Sequence, residues 1–211
     1  ADEVQNGQRA PKTLFDAVVI PFRDFFQRDQ AVFLLILIIL YKLGDAFAGS
    51  LSTAFLIRGV GFSLVEVGAI NKGMGMLATI FGSLFGGMIM LKLRLFPALL
   101  LFGCLQAISN LSFWALAFSG KIYALMIFAI GFENFAGGLG STAFVALIMG
   151  LCHKESTATQ FALLSALAAV GRVWVGPTSG YLVELWGWAP FFIFSFLISL
   201  PGLFFLYFLR K

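Results

Sequence analysis

The sequence predicts an all-α membrane protein whose core is a bundle of six transmembrane helices. Three observations carry that prediction. Of 211 residues, 60% are hydrophobic and 11% charged, with mean hydropathy +0.97, whereas soluble domains carry about 25% charged residues. Six apolar runs each reach the roughly 20 residues that span hydrocarbon as a helix. The loops between them are short, and their Lys and Arg fall mostly on one side. Helix is the state that fits, because an isolated strand in lipid leaves its backbone groups unpaired.

Residues 1–12 (ADEVQNGQRAPK) are polar, with no Met and no signal peptide at residue 1; they suggest a segment of a longer chain. In 13–29, Leu14, Val18, Phe22, Phe25 and Phe26 can share one helical face, with Asp16, Arg23, Asp24 and Arg28 mainly elsewhere. That pattern predicts a helix lying in the membrane interface, or else the charged entry to the next span. Residues 1–30 are thus expected to be a cytoplasmic linker and 31–211 the bundle. The spans are expected near 31–57, 66–90, 96–117, 122–149, 157–183 and 189–209.

With the N-terminus placed inside, the inside segments hold Arg9, Lys12, Arg23, Arg28, Lys92, Arg94, Lys154, Arg210 and Lys211. The outside loops hold Arg58 and Lys121. This is a positive-inside bias, and an even number of spans then puts both termini in the cytoplasm.

The charges left inside the spans are informative, because each costs about 2.5–3.5 kcal/mol at the bilayer centre on insertion scales. Lys42 and Asp45 lie three residues apart on one face of the first span. They read either as a self-neutralising ion pair or as a cavity pair for a charged substrate group or a proton. Glu133 lies mid-span in GFENFAGGLGSTAF. Gly137 and Ser141 share its face, and Asn134, Gly138 and Thr142 lie beside it. Arg172 in GRVWVGPTSG is the expected counter-charge, giving either a structural pair or a protonatable acid beside a cation, suited to proton coupling. Lys72 sits about two turns into the second span and either lines a cavity or snorkels outward. Glu66 reads as interfacial and His153 as solvated.

Gly82/Gly86 and Gly176/Gly180 are GxxxG pairs that favour close helix approach. Pro177 is expected to kink the fifth span, and Gly73, Gly75, Gly86 and Gly87 to make the second deformable. These features read as static packing or as the bending that alternating access uses. Cys104 and Cys152 read as packing residues, lacking a CxxC or zinc spacing. GGLGST lacks the P-loop Lys and a preceding strand. With one His in a turn there is no Ser-His-Asp set, and no HExxH or acidic metal cluster is present. The expectation is a transporter rather than an enzyme, without cofactor or metal. The basic residues do not cluster with aromatics, so nucleic-acid binding has no support.

Three blocks carry a family resemblance: YKLGDAFAGSLSTAFLIRGVGFS (41–63), GFENFAGGLGSTAFVALIMGLC (131–152) and STATQFALLSALAAVGRVWVGPTSGYLVELWGW (156–188). Together they resemble the AmpG anhydromuropeptide permeases of the major facilitator superfamily, collinearly over 13–211. GGMIMLKLR (86–94) resembles a degenerate form of that superfamily's Gly-rich basic loop, without its acid. The resemblance implies twelve core helices in two halves, with this chain the second half and its partners the other half, the lipid bilayer and the substrate. It implies import of N-acetylglucosaminyl-anhydromuramyl peptides into the cytoplasm of Gram-negative bacteria across the inner membrane. The coupling ion would be a proton, and the import would serve peptidoglycan recycling and β-lactamase induction. Lys42, Lys72 and Arg172 would hold carboxylates, and Asp45 and Glu133 the amine or the proton. Asn71, Asn110, Asn134 and Gln160 would bond sugar hydroxyls or amides. Trp114 and Trp174 would stack on sugars or anchor in the lipid interface. The competing readings are another solute on the same fold, such as a sugar or an acyl-CoA, or a six-helix channel.

Overall fold

The computed structural model describes residues 19, 23, 25–27, 31–152 and 157–209. Most of the amphipathic helix expected over 13–29 lies outside the described residues, as do His153, Lys154, Arg210 and Lys211. The described chain is helical, without strands. Helix α1 (Ala31–Ala54) closes in a π-helical turn, Phe55–Gly59. Helix α2 (Leu64–Ile70) continues through a second π-helical turn, Asn71–Gly75, into α3 (Met76–Met90). Then follow α4 (Leu95–Ser119), α5 (Tyr123–Leu151), α6 (Thr157–Trp186) and α7 (Trp188–Leu209).

Among the described residues, six continuous segments are long and apolar enough to cross a membrane: Ala31–Gly59, Leu64–Met90, Leu95–Ser119, Tyr123–Leu151, Ala158–Trp186 and Trp188–Phe208. The second unites α2, the π-turn and α3. Each boundary has a local cause. Ser63 caps α2 in a reciprocal box: its Oγ accepts from the Glu66 N–H (3.2 Å) and its own N–H donates to Glu66 Oε2 (2.7 Å), satisfying two donors that the first turn leaves orphaned. Helix α4 stops at Gly120 (φ 73°) and α6 at Gly187 (φ 80°), conformations that only glycine takes without steric cost. Helix α6 runs on through Pro177.

The principal packing pairs are α3–α5, α4–α7, α4–α5, α1–α6 and α1–α7. In spans these are 2–4, 3–6, 3–4, 1–5 and 1–6. Exchanging spans 1, 2, 3 with 4, 5, 6 leaves that set unchanged. Successive spans alternate in direction, so the two three-span units run oppositely, as in the inverted repeats of secondary transporters. The closest approaches use small residues. A Cβ at Gly82 would fall against the Phe135 carbonyl oxygen, and one at Gly138 against that of Thr79. Across spans 1 and 6, a Cβ at Gly202 would lie 2.8 Å from the Leu40 oxygen.

Gly86 belongs to the crossing of spans 2 and 4, where a Cβ would lie 3.3 Å from Leu139. The expected close approach at Gly176 and Gly180 is not formed among the described residues: a Cβ at either would meet nothing within 4 Å. The reason is that Arg172, Val173, Trp174, Gly176, Pro177 and Thr178 form an exposed stretch of α6.

Two apolar clusters fill the bundle, one at each end. One gathers Leu37, Tyr41, Leu99, Phe102, Leu147 and Leu206; the other gathers Phe47, Phe55, Phe113, Ile130, Val175 and Phe192. The residues between them along the spans include Lys42, Asp45, Asn110, Glu133, Asn134 and Ser195. Hydrophobic burial thus stabilises both ends, and the polar residues occupy one layer near mid-depth.

Candidate functional site

That polar layer opens into a cavity of about 320 Å³ lined by Asp45, Gly49, Ser52, Asn71, Thr79, Glu133, Asn134, Gly137 and Ser141. Three spans build it. Asp45, Gly49 and Ser52 project from one face of α1 at i, i+4 and i+7. Asn71 opens the π-turn and Thr79 follows on α3. Glu133, Asn134, Gly137 and Ser141 lie on α5. The π-turn widens the backbone where Asn71 meets the cavity, and such bulges recur at functional sites.

The two walls differ in chemistry. Between spans 1 and 4 the wall is charged. Lys42 is buried (7% exposed), and its Nζ lies 3.4 Å from Asp45 Oδ2 and 3.4 Å from Ser141 Oγ. It also sits 5.6 Å from the Phe144 ring centroid, a cation–π distance. Lys42 therefore stands behind the lining and ties span 1 to span 4. Glu133 faces Gly49: a Cβ there would lie 3.8 Å from Glu133 Oε1. Among the described residues the ion pairs are Lys42–Asp45 and Lys121–Glu66, so Glu133 has no cationic partner.

Between spans 2 and 4 the wall is neutral. Asn134 Nδ2 donates to the Ile130 carbonyl (2.8 Å), and its Oδ1 accepts from Thr79 Oγ1 (3.2 Å). A Cβ at Gly75 would sit 3.2 Å from Asn134 Nδ2, so the π-turn glycine admits the amide. Thr142 Oγ1 donates to the Ser83 carbonyl (3.2 Å) just beyond the cavity. At the start of α2 and α5, Tyr123 Oη donates to Glu66 Oε1 (2.6 Å) and Lys121 Nζ lies 3.8 Å from Glu66 Oε2. This latch holds the ends of spans 2 and 4 together.

Of the residues singled out from sequence, Asp45, Asn71, Glu133, Asn134, Gly137 and Ser141 line the cavity, and Lys42 adjoins it. Lys72 and Arg172 are exposed, Gln160 is fully buried, and none of the three is in the lining. The expected Glu133–Arg172 pair is absent because span 5 packs on span 1 rather than span 4. Asn110 is buried on α4, where its Nδ2, like Gln106 Nε2, has no hydrogen-bond partner among the described residues. Trp114 and Trp174 are exposed and outside the cavity. Sequence reasoning passed over Gly49, Ser52 and Thr79. The signal for the first two was present, since they repeat on the face of Asp45.

No known family profile matches the sequence. The chain is 58% identical over 193 residues to the anhydromuropeptide permease of Escherichia coli (strain K12), covering 92% of this chain and 39% of that protein. It is 39% identical over 195 residues to putative transporter AmpG 4 of Rickettsia felis, covering 92% of this chain and 47% of that protein. A putative transporter AmpG 1 of Rickettsia bellii is 34% identical over 172 residues, covering 82% of this chain and 42% of that protein. The chain thus spans less than half the length of these relatives, and their names are those of permeases and transporters rather than enzymes.

Proposed function

This chain is a relative of the AmpG-type anhydromuropeptide permeases over 92% of its length, and on that basis we propose that it is the C-terminal six-helix half of a proton-driven anhydromuropeptide importer. The observation that carries the reading is the mid-depth cavity between spans 1, 2 and 4. It places two protonatable carboxylates, Asp45 and Glu133, beside neutral amides and hydroxyls. A muropeptide presents sugars, amides, carboxylates and an amine, so both walls find partners on it. Acyl-CoA fits less well. Its phosphates would meet two carboxylates, and the nearest cation, Lys42, is already engaged with Asp45; like charges a few ångströms apart in such a site repel strongly.

At about 320 Å³ the cavity is at the small end of small-molecule pockets. A disaccharide peptide needs a second wall, which the other six helices would supply. Bound solute then passes by rocking of the halves about this mid-depth site. In this reading both termini face the cytoplasm, the membrane is the Gram-negative inner membrane, and import serves peptidoglycan recycling and β-lactamase induction. The carboxylates hold the coupling proton, and no other cofactor takes part. The test is uptake of labelled anhydromuropeptide by the intact transporter carrying Glu133→Gln. Concentrative uptake driven by a proton gradient is expected to be lost, and its full retention would overturn the coupling role.

A further inference from the structure

The charge distribution around the cavity points to a specific part of the ligand. We propose that the wall between spans 1 and 4 is a subsite for a primary ammonium group, with Glu133 as its carboxylate partner; this rests on the transport reading above. Asp45 already has Lys42 at 3.4 Å. Glu133 has neither a hydrogen bond nor an ion pair among the described residues, and no side chain at Gly49 screens it from the void. Lys72, Arg172 and Arg58 are exposed and not in the lining. Among the described residues the cavity thus carries one carboxyl group that lacks a cationic partner.

An ammonium group answers that need. It is a compact charge with three donors and no acceptor. The acceptors near Glu133 are its own two oxygens, Asp45 and the hydroxyls of Ser141 and Ser52. Among the described residues no free cation lines this cavity, so carboxylates or phosphates of a ligand belong elsewhere. Neutral amides and hydroxyls belong against Asn71, Asn134 and Thr79.

The test compares two ligands on the purified intact transporter by calorimetric binding: an anhydromuropeptide with one free primary amine, and the same molecule N-acetylated there. Hydrogen bonds to a charged group are worth about 10- to 100-fold in affinity, so the unmodified protein is expected to lose that factor on acetylation. Glu133→Gln is expected to bind both forms within about threefold. Gly49→Val, which walls the carboxylate off without changing its charge, gives the same expectation should the first variant fail to fold. Equal binding of the two ligands by the unmodified protein would overturn the subsite and leave the transport reading intact. An acetylation loss undiminished in the variants would do the same. No binding of the free-amine ligand at all would overturn the transport reading, and this inference with it.

Discussion

Replacing Gly138 by Ala separates packing from cavity function, because its neighbour Gly137 supplies the control. A Cβ at Gly138 would fall against the Thr79 carbonyl oxygen, 2.9 Å from the Ser83 nitrogen and 3.1 Å from the Gly82 carbonyl carbon. These are backbone atoms of α3, so no side chain can swing aside. Ordinary contact is about 3.5 Å, and α3 must therefore shift outward by several tenths of an ångström or more. Overpacking of this kind costs about 1–3 kcal/mol. The shift also loosens the Thr142–Ser83 bond across the same crossing, and interhelical bonds in membranes average about 0.6 kcal/mol. A Cβ at Gly137 meets nothing within 4 Å. Both substitutions gain the same helix propensity, about 1 kcal/mol, so their difference isolates the crossing. Thermal unfolding of the two variants in detergent is expected to differ by roughly 2–14 °C, with Gly138→Ala the lower, at about 2–4 °C per kcal/mol for a chain of this size. Equal midpoints would refute the backbone contact between spans 2 and 4.

Lys42→Met removes the partner of Asp45, and the double variant Lys42→Met/Asp45→Asn is expected to recover stability. Breaking a buried pair costs up to about 3–5 kcal/mol, and less here because a third of the Asp45 side chain is exposed (34%); a thermal double-mutant cycle reads the coupling. Asn71→Ala is expected to raise KM for muropeptide uptake about tenfold with an unchanged unfolding midpoint, as loss of one or two ligand hydrogen bonds predicts. Gln160→Ala, fully buried and outside the cavity lining, is expected to lower the midpoint and leave KM unchanged.

The six helices were legible because a span is a local property: its length and hydropathy need no knowledge of neighbours. The polar layer was legible for the same reason, since Asp45, Glu133 and Asn134 stand out in apolar runs. What failed was pairing. Arg172 was the expected counter-charge of Glu133, yet the folded chain sets span 5 mainly against span 1 and span 4 against spans 2 and 3. Connectivity does not fix which helices touch. Gly176 and Gly180 misled in the same way, since GxxxG marks a surface that admits close approach without naming what fills it. The π-turn at Asn71–Gly75 was hidden because the glycines show only that the backbone can deform, not that it takes an i to i+5 register. Gly49 and Ser52 were overlooked because the small, neutral residues that make room for a ligand carry no hydropathy signal.

The central claim is that the mid-depth cavity belongs to a proton-driven muropeptide importer. The most direct measurement is uptake of labelled anhydromuropeptide into vesicles bearing the intact transporter, with and without an imposed proton gradient. The account predicts accumulation above the external concentration that collapses when a protonophore dissipates the gradient. Absence of uptake, or equilibration indifferent to the gradient, would contradict it.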